Sequence, residues 1–242
     1  MKYEIDSHCH SIGSGHAYST VQELAKAAKK KKLKMIAITD HGPTLPGASH
    51  IYFIANQKVY PKKIAGVEIL RGVEANIVSY DGDLDVPDKR LEELDIVLAG
   101  YHSPSIQASN AADHTAGLLK TMENTYVDVI VHPGNPEFPI DTDKVLKKAK
   151  ETNTLIEINN SSLWISRKGS LKNCIYIAKL CKKYGVHVAV GSDAHIYTDV
   201  GEFGKITKIF KDIDMPRELI SNRSVEVFKN YLRSKGKKRF VK

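Results

Sequence analysis

The sequence predicts an α/β fold built on seven parallel strands, and three observations carry that prediction. Short β-branched runs alternate with amphipathic stretches along the whole chain, the pattern of βαβ units. No linker, low-complexity segment or break in composition divides the 242 residues, a length at which α/β barrels commonly form one domain. Hydrophobic residues at 42% and charged residues at 26% are ordinary globular values, which excludes disorder, collagen and a disulfide scaffold.

Strands are expected at 3–7, 35–39, 69–74, 96–100, 127–131, 155–158 and 186–191, and helices at 21–32, 111–124, 142–152, 171–184, 205–211 and 225–234. Thr20 and Glu23 have the spacing of a capping box, which sets the start of the first helix. Gly185 after Tyr184 is a helix stop. Residues 56–65 read as a weaker helix interrupted by Pro61. Such a pattern fits either an open doubly wound sheet or a closed barrel. Neither G-x-G-x-x-G after the first strand nor G-x-x-x-x-G-K-[ST] is present, which removes the commonest nucleotide-binding motifs.

Charge and cysteine content give further expectations. The formal net charge is +8, mostly from lysine. The runs Lys29–Lys32 and Lys235, Lys237, Lys238 and Arg239 read as solvated faces or tails. Cys174 and Cys181 lie seven residues apart in a helical pattern, about 10.5 Å along the axis and too far for a mutual disulfide. With no apolar run of membrane length and an early polar N-terminus, a cytoplasmic location without membrane contact is expected.

The chemistry lies in the ends of the strands. His8 and His10 close the first, His41 follows the second, Glu74 ends the third and His102 follows the fourth. His132 ends the fifth, and Asp193 and His195 follow the seventh. From His8 to His41, Glu74, His102 and His132 the steps are 33, 33, 28 and 30 residues, about one βαβ unit each. In a parallel barrel those ends gather on one rim, where active sites are built. Residues i and i+2 share a face in extended chain, so His8 and His10 can grip one ion and Cys9 faces away as a buried thiol. His16, on a glycine-flanked loop, joins the cluster as a ligand. His50, His114 and His187 stay outside it, His114 as a solvent-exposed residue of a first helical turn.

The segments Asp6-Ser7-His8-Cys9-His10, Thr39-Asp40-His41-Gly42, Gly72-Val73-Glu74-Ala75, Gly100-Tyr101-His102, His132-Pro133-Gly134 and Gly191-Ser192-Asp193-Ala194-His195 resemble the successive motifs of the polymerase-and-histidinol-phosphatase (PHP) domain. Glu157 to Ser162 and Ser166 to Ser170, with His16 to Thr20, resemble its YcdX-type branch of small stand-alone phosphatases. The resemblance runs over essentially the whole chain, residues 1–242 as one domain. It implies a distorted seven-stranded (β/α)7 TIM-like barrel with three divalent metal ions at its C-terminal rim. Carried over position by position, His8, His10, Glu74 and Asp193 hold the first ion, Glu74 bridges to a second held by His102 and His132, and His16, His41 and His195 hold the third. Ser7 and Cys9 stand where the family commonly has apolar residues, and neither removes a ligand.

Ligand arithmetic agrees. Three roughly tetrahedral ions offer about twelve positions, of which this set fills about ten, leaving some open as catalysis requires. The donors suit zinc first, with manganese or iron fitting the same set. The expected activity is hydrolysis of phosphomonoesters by metal-activated hydroxide, with a phosphorylated small molecule as substrate and a homo-oligomer left open. Arg167 and Lys168, after the sixth strand, are the candidates for gripping phosphate. Asn159 and Asn160 end that strand, which shows no obvious ligand. A histidinol-phosphate phosphatase or a metal-dependent nuclease or phosphodiesterase would use the same centre. Sparse aromatics, not interleaved with the basic runs, argue against a specific nucleic-acid partner. A non-catalytic metal-binding module ranks last, because it needs no open positions.

Overall fold

In the computed structural model, which describes residues 1–241, the backbone curls into a nearly closed barrel of seven parallel strands. In order around the sheet these are β1 (Ile5–Cys9), β2 (Met35–Ile38), β4 (Val67–Asn76), β5 (Ile96–Gly100), β6 (Val129–Ile130), β7 (Leu155–Asn159) and β8 (Val188–Gly191). A short β3 (Lys63–Ile64) pairs antiparallel with β4 at its start. Closure runs through a Cys9–Ala194 bridge, with the His10 amide donating to the Ala194 carbonyl at 2.9 Å. The sequence pattern alone left an open sheet possible; this bridge decides for the barrel.

The helices cover the outside. They are α1 (Val21–Lys30), α2 (Ile51–Ala55), α3 (Asp88–Leu91), α4 (Ala111–Thr121), α5 (Thr142–Glu151), α6 (Ser170–Tyr184), α7 (Gly204–Asp212) and α8 (Val225–Ser234). The capping box forms at α1, and Gly185 ends α6 in the left-handed conformation. Residues 56–65 are not one helix. A 3-10 turn at Asn56–Val59 gives way to β3, because Pro61 has no amide to continue the ladder. No helix among the described residues is long and apolar enough to cross a membrane.

Strand alternation sorts the core into two layers. Outward residues such as Ile36, Val73, Val97, Ile130 and Ile158 pack under the helices. Inward residues Ile5, Met35, Leu70, Ile96, Leu98 and Leu155 fill the lower barrel. Phe228 and Leu232 of α8, with Phe240, pack against this inner cluster and plug the end opposite the rim.

Here the C-terminal basic run departs from a solvated tail. Lys237 is buried, with its Nζ 2.7 Å from Asp128 Oδ2. Arg239 spans Asp95 at 2.7 Å and Glu68 at 2.9 Å. Buried carboxylates at the strand starts require those cations. Lys29–Lys32 are exposed as expected. His114 also departs from expectation. It is fully buried beside Tyr101 and Phe138, its Nδ1 donating to the Pro139 carbonyl at 2.9 Å while its Nε2 accepts from the Ser109 amide at 2.8 Å. Both ring nitrogens find partners, so burial leaves no polar atom unmatched.

Candidate metal centre

Local backbone geometry builds the site. Along β1, Ile5↔Met35 and Asp6↔Ile36 are followed by Cys9↔Ile38, an irregularity that inserts one extra residue. A bulge of this kind shifts the phase of alternation. It turns Cys9 into the outer core and brings His8 and His10 into the mouth of the barrel, where both are fully buried. β4 and β5 deliver theirs by plain alternation: Leu70, Gly72 and Glu74 on β4, and Leu98, Gly100 and His102 on and after β5. His132 and Asp193 have φ values of 35° and 58°, left-handed conformations that cost energy in non-glycine residues and are found at functional sites.

Inward glycines make room for these side chains. A Cβ on Gly191 would lie 2.0 Å from Glu157 Oε1 and 2.7 Å from the His8 Cβ, and one on Gly100 would lie 2.9 Å from His132 Cε1.

All nine candidate metal ligands converge at this rim. Glu74 Oε1 lies 2.7 Å from His132 Nε2 and 3.1 Å from His102 Nε2. Its Oε2 lies 3.0 Å from His41 Nδ1 and 3.2 Å from the Nε2 of both His8 and His10. Asp193 Oδ1 is 3.2 Å from His10 Nε2. Three groups have donor atoms mutually within 4.8 Å: His8–His10–Asp193, His41–Glu74–His102 and His10–His41–His195. His16 joins through His195, Nε2 to Nε2 at 3.0 Å.

The proton arrangement identifies what the cluster lacks. His8 Nδ1 donates to Glu157 Oε1 at 2.7 Å, so in the neutral ring Nε2 carries a lone pair. Ser14 Oγ gives its proton to Asp40 and so accepts from His10 Nδ1 at 2.9 Å. In the metal-free protein the proton that the neighbouring carboxylates hold on His8 lies between its Nε2 and that of His10, 2.9 Å apart; with both rings neutral these two atoms would be acceptors facing each other. His16 and His195 repeat the arrangement, each donating from Nδ1 to a backbone carbonyl at 3.0 Å. Buried Glu74 Oε2, Asp193 Oδ1 and His41 Nδ1 have no hydrogen-bond partner among the described residues. Buried carboxylate oxygens without partners, ringed by imidazole nitrogens and opening toward exposed His16, fit cations, and the donor set suits divalent metals.

Electrostatics point the same way. Burial opposes ionisation of Glu74, but the nearby His8, His41 and His102 outweigh it and hold its carboxyl well below the usual range. Burial, assisted by Arg167, lowers His132 to about 4, and burial with His10 lowers His195 to about 4. Both are neutral, and thus ligand-ready, at neutral pH. For His8, burial is overcome by Glu157, Glu74 and Asp193, which raise it well above its ordinary value.

Arg167 and Lys168 part company. Arg167, at φ 48°, turns inward to Asp193 Oδ2 at 2.9 Å and to Ser162 and Ser166. Lys168 is exposed on the loop. Sequence reasoning missed Glu157, although it shares the inward phase of Leu155 and Asn159. Its Oε2 accepts from the His132 amide at 2.9 Å and from Asn159 Nδ2 at 3.1 Å, so one carboxylate positions His8 and His132 together. His50 caps α2 and is exposed, and His187 is exposed at the start of β8.

Comparison with known proteins follows this geometry. A PHP domain family model matches residues 6–238. A probable phosphatase of Clostridium novyi (strain NT) is 50% identical over 237 residues, covering 98% of this chain and 97% of that one. Another probable phosphatase, from Acetivibrio thermocellus, is 48% identical, with 97% of each chain covered. Among solved structures, histidinol phosphate phosphatase from Lactococcus lactis subsp. lactis, complexed with zinc, L-histidinol and phosphate, superposes with a TM-score of 0.62 at 15% identity, covering 88% of this chain and 95% of that one. The chain belongs to the PHP-domain family and is a hydrolase of its phosphatase class.

Proposed function

We propose that the chain is a metal-dependent phosphomonoesterase acting on a phosphorylated small molecule at a three-cation centre. The observation that carries this reading is the pair of buried oxygens, Glu74 Oε2 and Asp193 Oδ1, that have no hydrogen-bond partner among the described residues and lie within 3.5 Å of His8 and His10 Nε2, beside the facing Nε2 atoms of His16 and His195. His8, His10, Glu74 and Asp193 would hold one cation, Glu74, His102 and His132 a second, and His16, His41 and His195 a third. Divalent cations there would lower the pKa of coordinated water from about 15.7 to about 7 and neutralise charge on phosphoryl oxygens.

The chain's own residues do the rest. Glu157, through His8 Nδ1, and Ser14, through His10 Nδ1, fix both rings with Nε2 aimed inward. Asp193 holds Arg167 over the centre. Every hydrogen bond of that guanidinium among the described residues runs through Nη1, which leaves Nε and Nη2 to bind phosphoryl oxygens.

Zinc, which the Lactococcus lactis enzyme holds with L-histidinol and phosphate, is the first cation to test. The test is metal analysis with assays on p-nitrophenyl phosphate, its bis-ester, histidinol phosphate and single-stranded DNA. Monoester hydrolysis that vanishes with chelator and returns with zinc or manganese is expected. Fewer than about two cations per chain, with no monoester hydrolysis after reconstitution, would overturn the reading.

A further inference from the structure

The rim is lopsided in a way that catalysis at the metal centre does not require. Exposed large apolar side chains stand on the loops that follow three adjacent strands, β7, β8 and β1. Trp164, the chain's single tryptophan, is 58% exposed between Asn160 and Arg167. Tyr197 is 47% exposed just after His195, and Tyr18 is 77% exposed just after His16. The neighbouring connection after β2 adds Tyr52, 73% exposed and stacked on His50, and among the described residues the loops directly after β4, β5 and β6 carry none.

These positions are tied to the centre through the backbone. The Tyr18 amide donates to the His195 carbonyl at 2.7 Å, and the Tyr197 amide donates to Ser19 Oγ at 2.9 Å. Trp164 lies in the turn in which the Ser161 carbonyl accepts from the amides of Trp164, Ile165 and Ser166. The same loop sends Arg167 to Asp193. The aromatic side chains and the proposed phosphate-binding arginine are therefore on one arc, with polar loops opposite.

An indole and two phenols held in solvent beside an anion-binding centre have the composition of a ring-stacking platform. Resting on the phosphomonoesterase reading, we infer that the substrate is a phosphomonoester whose alcohol carries a planar ring, of the nucleoside or aryl type. The phosphoryl group lies at the rim centre. Its ring leans on Trp164 and Tyr18.

The single tryptophan allows a direct test on the zinc-loaded protein, with adenosine 5′-monophosphate and ribose 5-phosphate as probes. Both are primary phosphomonoesters of ribose and differ at C1′, where the first carries a planar base and the second a hydroxyl. The kcat/KM ratio is expected to favour the ring-bearing ester by about tenfold and to fall toward one in Trp164→Ala and Tyr18→Ala. Trp164 emission should quench with the first probe and not the second. Equal kcat/KM values with no quench would overturn the inference and leave the phosphomonoesterase reading intact. Quench without hydrolysis of either ester would sink that reading while supporting ring binding. An oligomer in the wild type that Trp164→Ala dissociates on sedimentation, with the substrate ratio unmoved, would assign this arc to a second copy of the chain and overturn the inference.

Discussion

The two ends of the barrel both concentrate charge, and they do so by opposite rules. At the plugged end each carboxylate meets a cation: Asp128 meets Lys237, Asp95 meets Arg71 and Arg239, and Glu68 meets Arg239 and Lys229. At the open rim, imidazoles crowd around carboxylate oxygens of which Glu74 Oε2 and Asp193 Oδ1 lack hydrogen-bond partners among the described residues, and Arg167 is the arginine that reaches them. Matched charge serves architecture, whereas unpartnered carboxylate oxygens among imidazoles form a place that could hold cations. Buried residues and similar distances occur at both ends; complementarity separates them.

The strongest way to break this contrast is to remove the rim's centre. Glu74→Ala takes away the carboxylate shared by five imidazoles. Bound metal is expected to fall by at least one equivalent, with affinity for what remains lowered about 100-fold or more and monoester hydrolysis reduced to background. Metal analysis and assay of the same preparation check it. Lys237→Met should do the reverse. It leaves buried Asp128 unpaired and is expected to cost about 3–5 kcal/mol in a denaturant titration, with metal stoichiometry unchanged in the folded protein. If it empties the rim while leaving stability untouched, the division of labour is wrong.

Glu157→Gln sharpens the rim itself. The amide can still accept from His8, but then it turns a donor toward the His132 amide. Metal affinity is expected to drop about 10–100-fold, with hydrolysis restored by excess zinc. Failure of excess metal to restore it would mean that Glu157 does something other than position ligands.

The smallest expected effect is a pH dependence. Metal-free His8 has a raised pKa, so its charged form stabilises the stripped fold fully below about 6.5, and that contribution is lost as pH rises through the raised value. Metal must displace the same proton. Zinc affinity should therefore fall with acidification, and the melting-temperature gap between loaded and stripped protein should widen from about pH 6 to about pH 8. A gap independent of pH would contradict the protonated state of His8.

The strand period and the histidines at strand ends were legible in the sequence because alternation and βαβ spacing are local properties. So was the capping box at Thr20. Glu157 was less visible, because a carboxylate inside a strand looks like any other inward residue until its partners arrive from strands 149 and 25 residues away. Lys237 and Arg239 were misjudged for the same reason, since a basic run cannot reveal the buried carboxylates it will meet. His114 looked exposed from its helical position, and only the Tyr101–Phe138 wall shows why it is not.

One extra residue in β1 sets the parity of the strand. Were β1 to pair regularly with β2 over its present length, without the bulge, both imidazoles would swing away and the Cys9 sulfur would stand in their place. The centre would trade two nitrogen donors for one thiolate and shift toward softer metals. The donor set offered at this rim therefore depends on the register of one strand as much as on which residues the strand contains.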